Sequence, residues 1–145
     1  ANICGMETLD FTALENSVQR LKEVVEKYNE NKQDNIVRDS LIQRFEFTYS
    51  ISLKMLRKYF IERAFIVEDV NKLSFNDMVR TANQLGLLKS DLTKWTKFRE
   101  MQNLTSHTYD EEVALKVTEV VPDFYEEAAY LLKNLRAQNK CKLLI

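Results

Sequence analysis

The sequence predicts an all-α fold, an up-and-down bundle of four long helices plus one short helix, and three observations support it. Glycine occurs twice and proline once in 145 residues, too few turn formers for a chain of many short strands. Apolar side chains recur at intervals of three and four over long stretches, which gathers them on one side of a helix. Capping sequences led by Ser, Thr or Asp stand ahead of several of those stretches.

The first stripe is Phe11, Leu14, Val18, Leu21, Val25 and Tyr28, and it predicts a helix over roughly residues 8 to 29. A polar stretch from Asn29 to Asn35 interrupts the pattern and offers Asp34 or Asn35 as an N-cap. The second helix, about residues 35 to 64, carries two stripes. Val37, Leu41, Phe45, Tyr49, Leu53, Leu56 and Phe60 lie on one side, and Phe47, Ile51 and Met55 lie nearly opposite. A helix apolar on both sides is covered on both sides, either within its own bundle or by a subunit interface. The second option makes Phe47, Ile51 and Met55 the expected homodimer interface.

Ser74-Phe75-Asn76-Asp77 resembles a capping box with Asp in place of Glu, and it opens a short helix that Gly86 closes from C′. A fourth helix starts near Ser90 with Leu92, Trp95, Phe98 and Met101 on its apolar side. The fifth follows a second capping box, Thr108-Tyr109-Asp110-Glu111, and carries Val113, Val117, Val120, Phe124, Ala128, Leu131 and Leu135. Pro122 falls inside this stripe and is expected to kink or split the helix, because its ring removes a backbone donor and clashes with the preceding turn. There is no internal repeat, low-complexity segment or linker, so residues 1–145 read as one domain.

Composition limits the function. With 21 basic and 22 acidic residues and a net charge of −1, the chain has no overall field to attract nucleic acid, and any such contact is local. Cys4 and Cys141 show no metal-ligand spacing and read as free thiols in a reducing cytosol. No apolar run approaches the roughly 18 residues of a membrane span, and the expected location is the cytoplasm.

A nucleotidyltransferase needs paired carboxylates for Mg²⁺ and a glycine-containing turn near the triphosphate, and this chain has neither. Two distant glycines, Gly5 and Gly86, also exclude a phosphate-cradling loop. No resident metal or cofactor is expected. The one polar cluster with chemical character runs from Arg99 to Asp110 and holds the sole histidine, His107. If the fourth helix continues through Ser106, then Arg99, Asn103 and His107 fall within about 80° of one another and face one pocket. His107 also precedes the capped start of the fifth helix, where free N–H groups and the dipole favour an anion. An imidazole there is suited to proton transfer near neutral pH. A lone histidine at a helix junction is nevertheless more often a capping or packing residue.

Two segments resemble one family. Trp95-x-x-x-Arg99-x-Met101-x-Asn103-x-x-Ser106-His107-Thr108-Tyr109-Asp110 is similar to the signature region of HEPN proteins paired with minimal nucleotidyltransferases. Gln43-Arg44-Phe45-Glu46-Phe47-Thr48-Tyr49-Ser50-Ile51-Ser52-Leu53-Lys54 resembles that family's central helix. The resemblance covers essentially the whole chain. It implies a helical bundle that dimerises and associates with a separate minimal nucleotidyltransferase, and a nucleotide or RNA ligand, with Gln102, Asn103 and Ser106 lining the binding site. Many HEPN relatives are metal-independent RNases of toxin–antitoxin modules. Their activity is attributed to an Arg, four residues and a His, often followed after one residue by a Tyr that the partner enzyme modifies with AMP. His107 and Tyr109 occupy the last two of these positions, and Gln102 occupies that of the Arg. A neutral amide offers neither the permanent charge nor the bidentate fork of a guanidinium. Arg99, three residues earlier, is the nearest replacement cation.

The leading expectation is thus a partner subunit that docks a minimal nucleotidyltransferase and presents nucleotide, nucleic acid or its own Tyr109. The alternatives are an RNase toxin using His107 with Arg99, or a helical adaptor without a ligand.

Overall fold

The structure, a computed structural model, describes residues 9–63 and 72–139, in which five α-helices form the bundle. They are α1 (Thr12–Glu30), α2 (Asn35–Glu62), α3 (Phe75–Gln84), α4 (Leu92–Leu104) and α5 (Glu111–Asn139). A 3-10 turn, Thr105–His107, follows α4 directly. Cys4 and Cys141 lie outside the described residues. Among the described residues no helix is long and apolar enough to cross a membrane.

The caps explain where the helices begin. Asp34 accepts hydrogen bonds from the N–H groups of Ile36 and Val37 and so starts α2. Ser74 Oγ accepts from Asp77 N and starts α3. At the other end of α3, Gly86 adopts φ 77°, while Leu87 N donates to Ala82 O and Gly86 N to Asn83 O, the paired bonds of a Schellman motif. A side chain at this φ is strained, which is why glycine stands there. Asp91 caps α4 by accepting from Lys94 N.

The helices α1, α2 and α5 pack on one another, and α4 lies against α2 and α5. The core holds an aromatic cluster of Phe45, Tyr49, Trp95, Phe98 and Phe124, whose neighbouring ring centroids lie 5.2 to 6.3 Å apart. Phe124 touches the other four, so α5 supplies the ring on which α2 and α4 converge. Burial holds the Tyr49 phenol up at about 12, against an opposing pull from Arg99.

Four expectations change. Val24 is buried in α1, with Val25 at its edge, because the stripe drifts around the cylinder. Met55 is 4% exposed and belongs to the core, so it is not part of the expected interface stripe, of which Phe47 is exposed and Ile51 half-buried. One hundred degrees per residue sets Met55 close to Tyr59 and Ser52 on the inner side of α2. The fifth helix runs unbroken through Pro122, which is exposed, with Val121 and Phe124 beside it fully buried. Lastly, Asp110 rather than Thr108 caps that helix, accepting from Glu112 N and Val113 N.

A buried carboxylate fixes the entry to α4. Glu127 of α5 is 1% exposed, and its Oε1 accepts from Lys89 N, Ser90 N and the Trp95 indole at 2.8 to 3.0 Å. The loop ahead of α4 and the largest core side chain are thereby tied to one atom of α5.

Candidate functional site

The residues singled out by sequence lie along α4 and the turn after it. That turn is held by its hydroxyls. Thr105 Oγ1 donates to Gln102 O at 2.8 Å, Thr108 Oγ1 donates to Thr105 O at 3.2 Å, and Asp110 N donates to His107 O at 3.1 Å. These local bonds favour a tighter turn over continued α-helix.

The change of helix type separates Arg99 from His107. Eight α-helical steps would leave them about 80° apart. Five such steps and three 3-10 steps of about 120° leave them about 140° apart. The Arg99 guanidinium instead lies over the Phe75 ring, 4.7 Å from its centroid. It is thus not brought beside His107 in the way the continuous helix implied. Asn103 and Ser106 are exposed, and Gln102 is half-buried, its Oε1 shielded from solvent without a hydrogen-bond partner among the described residues.

What the turn does bring together is His107 and Tyr109. Their rings are 6.2 Å apart between centroids, inclined by 67°. Both are exposed, Tyr109 at 85%. The chain holds six tyrosines. All six are described, and Tyr109 is the exposed one: Tyr28, Tyr49 and Tyr59 are buried in the core and Tyr125 and Tyr130 are half-buried.

Tyr109 lines a cleft of about 390 Å³, within the range of small-molecule sites. Thr105 and Thr108 line it from the turn, and Arg38, Asp39, Ile42, Gln43 and Glu46 from the first half of α2. A larger cleft of about 550 Å³ between α1 and α2 includes none of the residues expected from sequence.

Arg38 is the cation of the Tyr109 cleft, and it is absent from the site residues expected from sequence. It is 8% exposed, yet its guanidinium makes a bidentate pair with Glu111, Nη1 to Oε2 at 2.7 Å and Nη2 to Oε1 at 3.0 Å. The pair links the first turns of α2 and α5. Hydrogen bonding to Glu111 raises the Arg38 pKa, and the same bond holds the Glu111 carboxyl below its ordinary value. The sequence does carry a signal for Arg38. It stands seven residues before Phe45 and three before Leu41, on the buried side of α2, and a charge on an apolar stripe needs a partner. A stripe drawn from Val37, one residue earlier, hides that signal.

Comparison with known proteins shows the family and the fold. The family model described as nucleotidyltransferase substrate binding protein like matches residues 9–137. The chain belongs to that family. A curated relative from Haemophilus influenzae, "Probable ribonuclease HepT", is 35% identical over 142 residues, spanning 92% of this chain and 97% of the relative. A solved H. influenzae structure, described as revealing the fold of a substrate binding domain of a nucleotidyltransferase, superposes with a TM-score of 0.80 at 32% identity. It covers 88% of this chain and 99% of its own. A Thermus thermophilus structure gives a TM-score of 0.66 at 28% identity, covering 85% of this chain and 98% of its own. The family read from the sequence is thus the one these proteins share, and among the described residues the fold is helical throughout.

Proposed function

We propose that this chain is the partner subunit of a minimal nucleotidyltransferase in a toxin–antitoxin-type module, and that Tyr109 accepts the nucleotidyl group. The observation that carries this reading is the exposure of Tyr109, alone among six tyrosines, on a turn at the rim of a polar cleft. An acceptor has to enter another enzyme's active site, which a core phenol cannot do. The other observation in its favour is the likeness to a substrate binding domain of a nucleotidyltransferase.

The transfer is a displacement at phosphorus. Tyr109 Oη attacks the α-phosphorus of a nucleoside triphosphate held by the partner. The Oη–P bond forms, the bond from that phosphorus to the bridging oxygen breaks, and pyrophosphate leaves. The phenolic proton passes to water or to His107 on the same turn. The partner enzyme supplies the triphosphate site and its Mg²⁺. This chain contributes a nucleophile held at the surface by a capped, hydroxyl-pinned turn. Incubation with an active minimal nucleotidyltransferase and ATP, followed by intact-mass measurement, tests the reading. Addition to wild type but not to Tyr109→Phe is expected.

Dimerisation belongs to the same proposal. Phe47 is 57% exposed on α2 beside half-buried Ile51, an apolar spot that a second copy would cover. The likeness to a "Probable ribonuclease HepT" favours a second activity, RNA cleavage at His107. The neutral Gln102 and the turned-away Arg99 make that cleavage slow in this chain.

A further inference from the structure

The Arg38 guanidinium is only partly used. Nη1 and Nη2 are taken by Glu111, while Nε is buried without a hydrogen-bond partner among the described residues. A carboxylate meeting the two Nη atoms end-on cannot also reach Nε. The two free oxygens of a phosphodiester can meet the same two Nη atoms in the same bidentate way.

The two members of the pair are also unequally held. The Arg38 side chain is 10% exposed and that of Glu111 is 70% exposed. Glu111 can return to water with little loss, whereas Arg38 is fixed in the wall of the cleft. Once released, the carboxylate still lies in the first turn of α5, where the helix dipole favours it.

The charges around Arg38 select the incoming group. Asp39 and Glu46 line the same wall and repel a dianion or a triphosphate. A singly charged anion replaces Glu111 without changing the balance. A phosphodiester is such an anion. A nucleotidylated tyrosine is a phosphodiester, its phosphorus bonded to Oη and to the ribose oxygen, with one charge shared by the two remaining oxygens.

We infer that Arg38 is the receptor for the phosphodiester formed on Tyr109, which displaces Glu111 and takes the two Nη atoms it vacates, folding the modified tyrosine back over the cleft. The inference rests on reading Tyr109 as the acceptor. It assigns Arg38 and Glu111 roles as a phosphate-binding residue and its displaceable competitor. A short tether supplies an effective concentration of about millimolar, so weak intrinsic affinity suffices and free nucleotide binds only weakly.

The test follows the Arg38 Nε–H resonance by NMR in the full chain. The methyl ester of AMP, a singly charged phosphodiester, is titrated to roughly 10 mM into wild type and Glu111→Gln, and into Arg38→Lys with the Tyr109 backbone amide as reporter, with adenosine as the phosphate-free control. A saturable Arg38 shift is expected with the ester and not with adenosine. Glu111→Gln should tighten it about two- to fivefold, since an exposed carboxylate competes only modestly. Arg38→Lys should weaken binding of the ester, read at the Tyr109 amide, while thermal unfolding confirms a folded chain. In protein nucleotidylated on Tyr109, the shift should appear with no nucleotide added. If the ester moves Arg38 in neither wild type nor Glu111→Gln, the inference is wrong. If Tyr109 is modified and Arg38 does not respond, the inference fails while the acceptor role stands. If only a short single-stranded RNA moves Arg38, the cleft serves RNA and the inference is overturned.

Discussion

Replacing Glu127 with Ala should destabilise the bundle more than any substitution of an exposed charge. One oxygen of this 1% exposed side chain accepts three N–H groups, from Lys89, Ser90 and the Trp95 indole. Truncation leaves those donors short of an acceptor in a site closed by Trp95, which is itself fully buried. At about 1 to 1.5 kcal/mol for each, the loss is about 4 kcal/mol. For a domain of this size that lowers the melting temperature by about 10 to 15 °C. Glu127→Gln keeps an acceptor oxygen but loses the charge, and should cost about 1 to 2 kcal/mol. The assay is urea unfolding followed by Trp95 fluorescence, with the slope compared between variants so that a change in midpoint reports stability. Amide exchange at Lys89 and Ser90 should accelerate in the Ala variant ahead of the rest of the chain. A loss below about 1 kcal/mol for Glu127→Ala would refute the reasoning, because it would mean that water or a neighbouring group satisfies those donors at no cost.

Three further outcomes follow from particular residues. Tyr49 is held up at about 12, above its ordinary 10, so the stability it confers is fully present below pH 10 and is lost as pH rises through 12. After allowance for solvent screening the loss is about 2 kcal/mol, and Tyr49→Phe should flatten that part of a stability-against-pH curve. Phe47→Asp should shift a wild-type dimer toward monomer in sedimentation, whereas a wild type that is monomeric at micromolar concentration would remove the basis for a dimer on this face. Wild-type protein should cleave RNA slowly or not at all, Gln102→Arg should raise the rate, and adding His107→Ala should abolish the gain. Rapid wild-type cleavage independent of Arg99 would contradict that reading of the turn.

The helices are legible because their signals are local. Asp34, Ser74 and Gly86 act through backbone groups within a few residues, so their pattern in the sequence is already their structure. Stripes such as Leu14, Val18, Leu21 and Tyr28 need only the helical period. Met55 departs from its expected place for a geometric reason: on a helix buried over a wide arc, two stripes drawn at steps of four both drift, and Met55 drifts inward. The site is harder to read. The shift from α to 3-10 geometry at Thr105 depends on side-chain hydroxyls competing for carbonyls, and it moves His107 relative to Arg99 without any change of composition. Glu111 looks like the last member of a capping box, but its carboxylate finds Arg38, 73 positions away. Pairings of that range depend on tertiary packing, and no spacing rule announces them.

The central claim is that Tyr109 is presented to a partner enzyme, and peptide mapping after nucleotidyl transfer tests it most directly. The protein is incubated with an active minimal nucleotidyltransferase from the same organism, ATP and Mg²⁺, then digested, and the adduct is located by tandem mass spectrometry. An adenylyl group is expected on Oη of Tyr109, none on the five buried or half-buried tyrosines, and none anywhere in Tyr109→Phe. An enzyme that is active on another acceptor yet leaves Tyr109 unmodified, or that modifies the Phe variant equally, would contradict the claim.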